Sequence, residues 1–125
     1  LQRVHGQQFH TYANAAGLVA LAFGDAELRE HLEQGHPFAE QGQHLWGSRE
    51  KLGAYLATAQ AKGHLECPFD RATSYRVAAP IFGAAGEFLG ALGVSIPASR
   101  LRDESQTAMV VAELRQSAER LTGHS

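Results

Sequence analysis

The stretch from Thr73 to Arg100, TSYRVAAPIFGAAGEFLGALGVSIPASR, constrains this chain more than any other. Tyr75, Val77, Ala79 and Ile81 fall on one parity; Ser74, Arg76, Ala78 and Pro80 fall on the other. A period of two predicts a strand. Gly83-Ala84-Ala85-Gly86 breaks the run and predicts a hairpin turn of about four residues. The second strand, Glu87 to Ile96, is apolar on both parities, which predicts cover on both faces. Pro97 ends it, because proline has no N–H to give the ladder. Arg76 is the anomaly. A guanidinium in an apolar strand must find an anion, since burying it unpaired is costly. Ser74 shares its face, and Ser95 stands near the end of the second strand.

The remaining segments read mainly as helices. Ala13 to Phe23, ANAAGLVALAF, is apolar nearly all round and predicts a buried helix, with Asn14 as a cap. Gly17 inside it weakens the helix and points to close approach by another backbone. Gly24-Asp25 leads into a second helix, Ala26 to Gln34, whose inward pair is Leu28 and Leu32, with Gly35 as its stop. Residues 35–47 read as loop. Ser48 caps a third helix from Arg49 to Lys62, with Leu52, Tyr55, Leu56 and Ala59 as its apolar stripe and Gly63 as its end. His64 to Cys67 is a short strand. Asp103 caps a last amphipathic helix running to Leu121, with Met109, Val110, Leu114 and Leu121 on or near its inner face. Leu1 to His10 reads as the end of a strand, with a turn at Gly6. An antiparallel sheet covered by helices, an α+β domain, is the natural packing of this order.

Composition excludes several classes. The 125 residues suit one domain with one core. A net charge of −2 gives no bulk attraction to nucleic acid or membrane. One cysteine, Cys67, rules out an internal disulfide framework and fits a reducing compartment. No apolar run approaches the ~20 residues needed to span a bilayer. Seven histidines invite a metal reading, yet none has the spacing of HExxH or lies beside a CxxC pair, so no metal is expected. Cys67 and His64, three apart on a strand, point to opposite faces and make a poor nucleophile–base pair. The absence of a starting Met leads to the expectation of a fragment.

Three blocks resemble the effector-binding domain of the IclR family of bacterial transcriptional regulators. TYANAAGLVALAF resembles the family's alanine- and glycine-rich block that opens a buried helix, with Tyr12 where histidine is usual. REKLGAYLATAQAKGHLEC resembles the helix that ends in a basic residue, a glycine and a short strand. SYRVAAPIFGAAGEFLGALGVSIPASRL resembles the family's IAAPVFD…G…AALSVSGPASRL segment and is the most specific of the three. The resemblance implies a GAF-like fold over residues 1–125. It also implies an N-terminally incomplete domain, since the family's domain begins some tens of residues earlier with further strands. The winged helix-turn-helix that contacts operator DNA is outside this chain. A cytoplasmic homodimer or homotetramer and no cofactor are implied as well.

The resemblance also implies a site. In the family a small, usually acidic metabolite lies in a pocket of the sheet, held in part by backbone N–H groups at the start of the buried helix, here Ala15 and Ala16. A helix N-terminus with small residues suits a carboxylate. Phe9 falls at an apolar wall position, as does Leu1. Ser74, Arg76, Gly93 and Ser95 fall at pocket-facing positions of the hairpin. An acidic residue of the family falls at Cys67 or its neighbour Glu66. Arg76 replaces a usual small residue; it grips a ligand carboxylate, pairs internally with Glu66 or Asp70, or lies at an interface. The expected function is ligand sensing in a transcription factor, not catalysis. The competing expectations are an enzyme of GAF-like fold acting on a small acid, for which no acid–base or nucleophile set is evident, and a stand-alone binding or dimerisation module.

Overall fold

The computed structural model describes residues 11–121. The reading of residues 1–10 as a strand end, and the wall positions Leu1 and Phe9, lie outside the described residues. The elements in chain order are α1 (Ala15–Phe23), α2 (Ala26–Gly35), α3 (Phe38–Gln41), α4 (Gln43–Trp46), α5 (Arg49–Lys62), β1 (Leu65–Glu66), β2 (Ser74–Phe82), β3 (Phe88–Pro97), a 3-10 turn (Ala98–Arg100) and α6 (Glu104–Leu121). The three strands form one antiparallel sheet in the order β1-β2-β3. The α+β reading therefore holds.

Local chemistry explains most boundaries. Asn14 caps α1, its side chain accepting from the amides of Ala16 and Gly17, and Asp25 caps α2 through the Leu28 amide. Ser48 caps α5 through the Lys51 amide, and Gly63 ends it in the left-handed region at φ 81°. Asp103 accepts from the Ser105 hydroxyl and the Gln106 amide ahead of α6, and these bonds hold its carboxyl below the usual range. In the hairpin the Gly83 amide donates to Glu87 O at 2.8 Å and the Gly86 amide to Gly83 O at 3.0 Å, with Gly86 at φ 85°.

Two hydrophobic clusters lie on opposite faces of the sheet. On one face Leu65 and Ala78 pack with Leu18, Val19 and Ala22 of α1, Leu52 and Ala59 of α5, and Phe38; Ala91 and Phe88 flank them. On the other, Tyr75, Val77 and Ala79 pack with Leu114 and Ala118 of α6. The period of two in β2 thus separates the faces. Burying a side chain of the Leu or Val class contributes about 1.5–3 kcal/mol, so these two clusters hold the layers together.

Three expectations need correction. Residues 35–47 are not all loop, for they hold the single-turn helices α3 and α4. Four-residue helices carry no periodicity to read. The prediction that β3 is covered on both faces fails: Leu89 is 50% exposed and Val94 37%. Among the described residues β3 is the sheet edge, with one strand neighbour, and its outer half is left open. Met109, 63% exposed, is not on the inner face of α6; Val110, Leu114 and Ala118 are.

Candidate functional site

Register brings the sequence-predicted residues together. Arg76 pairs with Ser95, and Ala78 with Gly93. Leu65 pairs with Ala78 on the other side, and one step further the Cys67 amide donates to the Arg76 carbonyl at 2.8 Å. Cys67, Arg76 and Ser95 therefore form one row across the sheet, and Leu65, Ala78 and Gly93 the next. Alternation places both rows on the α1 face, with Ser74 beyond Arg76. Gly93 and Ser95 are exposed and Ser74 is half-buried, so the open end of this face is accessible.

Glu66 does not belong there. It pairs with Val77, on the α6 face, where its Oε2 accepts from the Tyr75 hydroxyl at 2.7 Å. Burial first, and then the Glu66 hydrogen bond and charge, push the Tyr75 phenol up. Of the two residues that the family's acidic position allowed, only Cys67 faces α1. Its thiol is buried and reaches Ala13 O at 3.4 Å.

At the start of α1 the expected Asn14 cap forms, and it engages an amide that the resemblance assigns to the ligand. The Ala16 amide is already taken, donating to Asn14 Oδ1 at 2.8 Å, with Gly17 N at 3.4 Å from the same oxygen. Ala16 is exposed, while Ala15 packs against the core. The helix end is thus capped internally, and a ligand would have to share or displace that side-chain oxygen. Gly17 shows the close approach its sequence position implied. A Cβ there would lie 2.5 Å from Thr11 O and 2.8 Å from Thr11 Cα. Tyr12, at the family's histidine position, is buried; its hydroxyl donates to His36 O and its ring meets Phe38 edge-on at 5.5 Å.

Arg76 has an internal partner, Asp70. Its Nη2 donates to Phe69 O at 2.9 Å and to Asp70 Oδ2 at 3.4 Å, whereas its Nε is buried with no hydrogen-bond partner. The Arg76 side chain is 31% exposed and that of Asp70 78%. Phe69 belongs to an aromatic group that composition did not flag. Trp46, the chain's one tryptophan, lies 5.3 Å from Phe69 and 4.9 Å from Tyr55, and its Nε1 donates to Tyr12 O at 2.8 Å. The Tyr55 hydroxyl donates to Glu66 O, and burial pushes its phenol up, with Cys67 and Glu66 adding to the shift. The lone tryptophan in a glycine-rich segment was the available signal for this group.

Among the described residues no three His, Cys, Asp or Glu side chains are grouped to hold a metal ion, and no helix is long and apolar enough to cross a membrane.

No curated protein matches the chain. Solved structures do. The C-terminal domain of the Escherichia coli transcriptional regulator KdgR is similar at 24% identity and a TM-score of 0.71, over 90% of this chain and 68% of that one. The Agobacterium tumefaciens repressor BlcR is similar at 18% identity and 0.69, over 94% of this chain and 50% of that one. The inducer-binding domain of the Acinetobacter transcription factor PobR, solved as a double mutant with 3-hydroxybenzoic acid, is similar at 20% and 0.69, over 99% and 74%. The chain spans 50% and 49% of two further regulators, from Silicibacter and Rhodococcus, about half the length of each. At these identities the structures establish the fold. Residues 2–122 match the family described as bacterial transcriptional regulator IclR C-terminal, and the chain belongs to that family.

Proposed function

We propose that residues 1–125 form the ligand-sensing part of an IclR-type regulator, and that the ligand is a small organic acid. It binds on the α1 face of the sheet and changes the DNA affinity of a winged helix-turn-helix outside this chain, in a cytoplasmic homodimer or homotetramer. The observation that carries this reading is the row Cys67–Arg76–Ser95, in which a cationic fork stands in the middle strand of the sheet with its Nε buried and unpartnered. An unmet buried N–H is costly, and a ligand carboxylate meets it. PobR, whose inducer-binding domain was solved with an aromatic acid, offers an analogous ligand class. Ser95 and Ser74 supply hydroxyls, Gly93 leaves room for a ligand ring or chain, and Ala15 lines the floor. Binding shifts the balance between conformers that already exist, and so couples the site to DNA affinity.

Titration with mono- and dicarboxylic acids tests the reading, followed by calorimetry and by the fluorescence of Trp46, whose ring meets that of Phe69, the residue whose carbonyl anchors Arg76. Arg76→Leu is expected to cost about 2–4 kcal/mol of binding while leaving apo stability within about 1 kcal/mol. Unchanged affinity for every acid that wild type binds refutes the clamp.

A further inference from the structure

The Arg76 guanidinium is held unevenly. One nitrogen, Nη2, serves both the Phe69 carbonyl at 2.9 Å and the Asp70 carboxylate at 3.4 Å, while the buried Nε serves nothing. The carbonyl contact is short and comes from the main chain, so it fixes where the guanidinium sits. The carboxylate contact is long, comes from a side chain 78% exposed, and belongs to the class of solvent-screened pairs that contribute little. Asp70 does not owe its position to Arg76. It sits in the left-handed region at φ 57°, and its carbonyl accepts from the Thr73 and Ser74 amides, both at 3.0 Å. A tight turn therefore presents the carboxylate beside the cation whether or not the pair forms, and asparagine or aspartate is tolerated at that φ.

Resting on the ligand-sensing reading above, we propose that Asp70 is a built-in competitor for the acid: an internal anion that occupies Nη2 in the empty site and yields it to the ligand carboxylate. The ligand bonds Nε and Nη2 as a planar fork and fills the donor that Asp70 leaves empty. The displaced Asp70 carboxylate returns to water, where it already spends most of its surface. The Phe69 carbonyl keeps the guanidinium in place throughout, so the exchange needs no rearrangement of the sheet. The pair thus sets the affinity threshold of the sensor. It selects carboxylates able to use two donors over anions able to use one.

The test is a double-mutant cycle on the whole chain, with benzoate and succinate as probes. Asp70→Asn removes the competing charge and retains a residue suited to φ 57°; Asp70→Gly suits the same φ and serves as the second variant. Both are expected to tighten binding about two- to fivefold, the range of a screened ion pair, with thermal midpoints lowered by no more than about 4 °C. In an Arg76→Leu background Asp70→Asn is expected to give no gain. Equal or weaker binding by Asp70→Asn and Asp70→Gly overturns the competitor role while leaving acid binding intact. The same gain in the Arg76→Leu background also overturns it, since general charge removal then accounts for the effect. Binding of neither acid by wild type or either Asp70 variant overturns the acid-sensing reading and the competitor with it.

Discussion

The capped start of α1 gives a prediction in which stability and binding move in opposite directions. Asn14 Oδ1 holds the Ala16 amide at 2.8 Å and the Gly17 amide at 3.4 Å, and the first turn of α1 carries no acidic residue. Asn14→Asp keeps the acceptor and adds a negative charge to an uncompensated helix N-terminus. An exposed charge of this kind stabilises by about 0.3–1 kcal/mol. At about 4 °C per kcal/mol for a domain of this size, the apo midpoint rises by about 1–4 °C. A carboxylate ligand held near the same turn meets the new charge. With the two charges about 7 Å apart and an effective dielectric of about 30, the repulsion is about 1–2 kcal/mol, or roughly a five- to thirtyfold loss of affinity. Asn14→Ala tests the other half. Losing the cap costs about 1 kcal/mol, and the released Ala16 N–H becomes available to the ligand, so affinity holds or improves while the midpoint falls. Thermal unfolding and Trp46 fluorescence titration of the three proteins give both quantities. A folded Asn14→Asp protein that binds acids as tightly as wild type removes the helix start from the ligand's surroundings.

Gly17→Ala should destabilise the domain by about 1–2 kcal/mol in denaturant melts: a Cβ 2.5 Å from Thr11 O forces a backbone shift that outweighs the gain in helix propensity. A neutral or stabilised variant would show that α1 and residue 11 can separate freely. Burial, the leading effect, lowers the His64 pKa below its usual value near 6.5, and its Nδ1 is buried without a partner. The folded state therefore binds that proton less well than the unfolded chain. Stability should fall as pH drops below about 6.5 until the folded imidazole also protonates; His64→Leu should flatten this slope, and an unchanged slope assigns it elsewhere. Leu114→Ala, at the centre of the α6 cluster, should cost about 2–5 kcal/mol by calorimetric or chemical unfolding. A loss under 1 kcal/mol would mean that α6 is loosely docked.

The hairpin and α5 were legible in the sequence because their signals are local and redundant. In β2 a strict alternation assigns Ala78 to one cluster and Val77 to the other, and α5 has both its serine cap and its left-handed glycine. The shared face of Ser74 and Arg76 was legible for the same reason, since parity alone places the two together. Pairing told the rest. Nothing within residues 64–67 distinguishes Glu66 from Cys67 as the inward residue; the register of β1 against β2 does. The edge position of β3 is likewise a property of neighbours and not of its own apolar composition. Asp70 was identified as a possible partner of Arg76, but its weakness as one depends on a 3.4 Å contact and on exposure. The Trp46, Tyr55 and Phe69 group is assembled from α4, α5 and the β1–β2 connection, and no periodic pattern spans them.

Residues 11–13 are pinned at three successive positions by three parts of the molecule. Thr11 lies against Gly17 with no room for a methyl group, the Tyr12 carbonyl is gripped by the Trp46 indole, and the Ala13 carbonyl meets the Cys67 thiol from the sheet. This short length of chain behaves like a shaft in three bearings. It has little freedom to slide or twist on its own, so a displacement of α1, of α4 or of the Cys67 end of the sheet moves it as a unit.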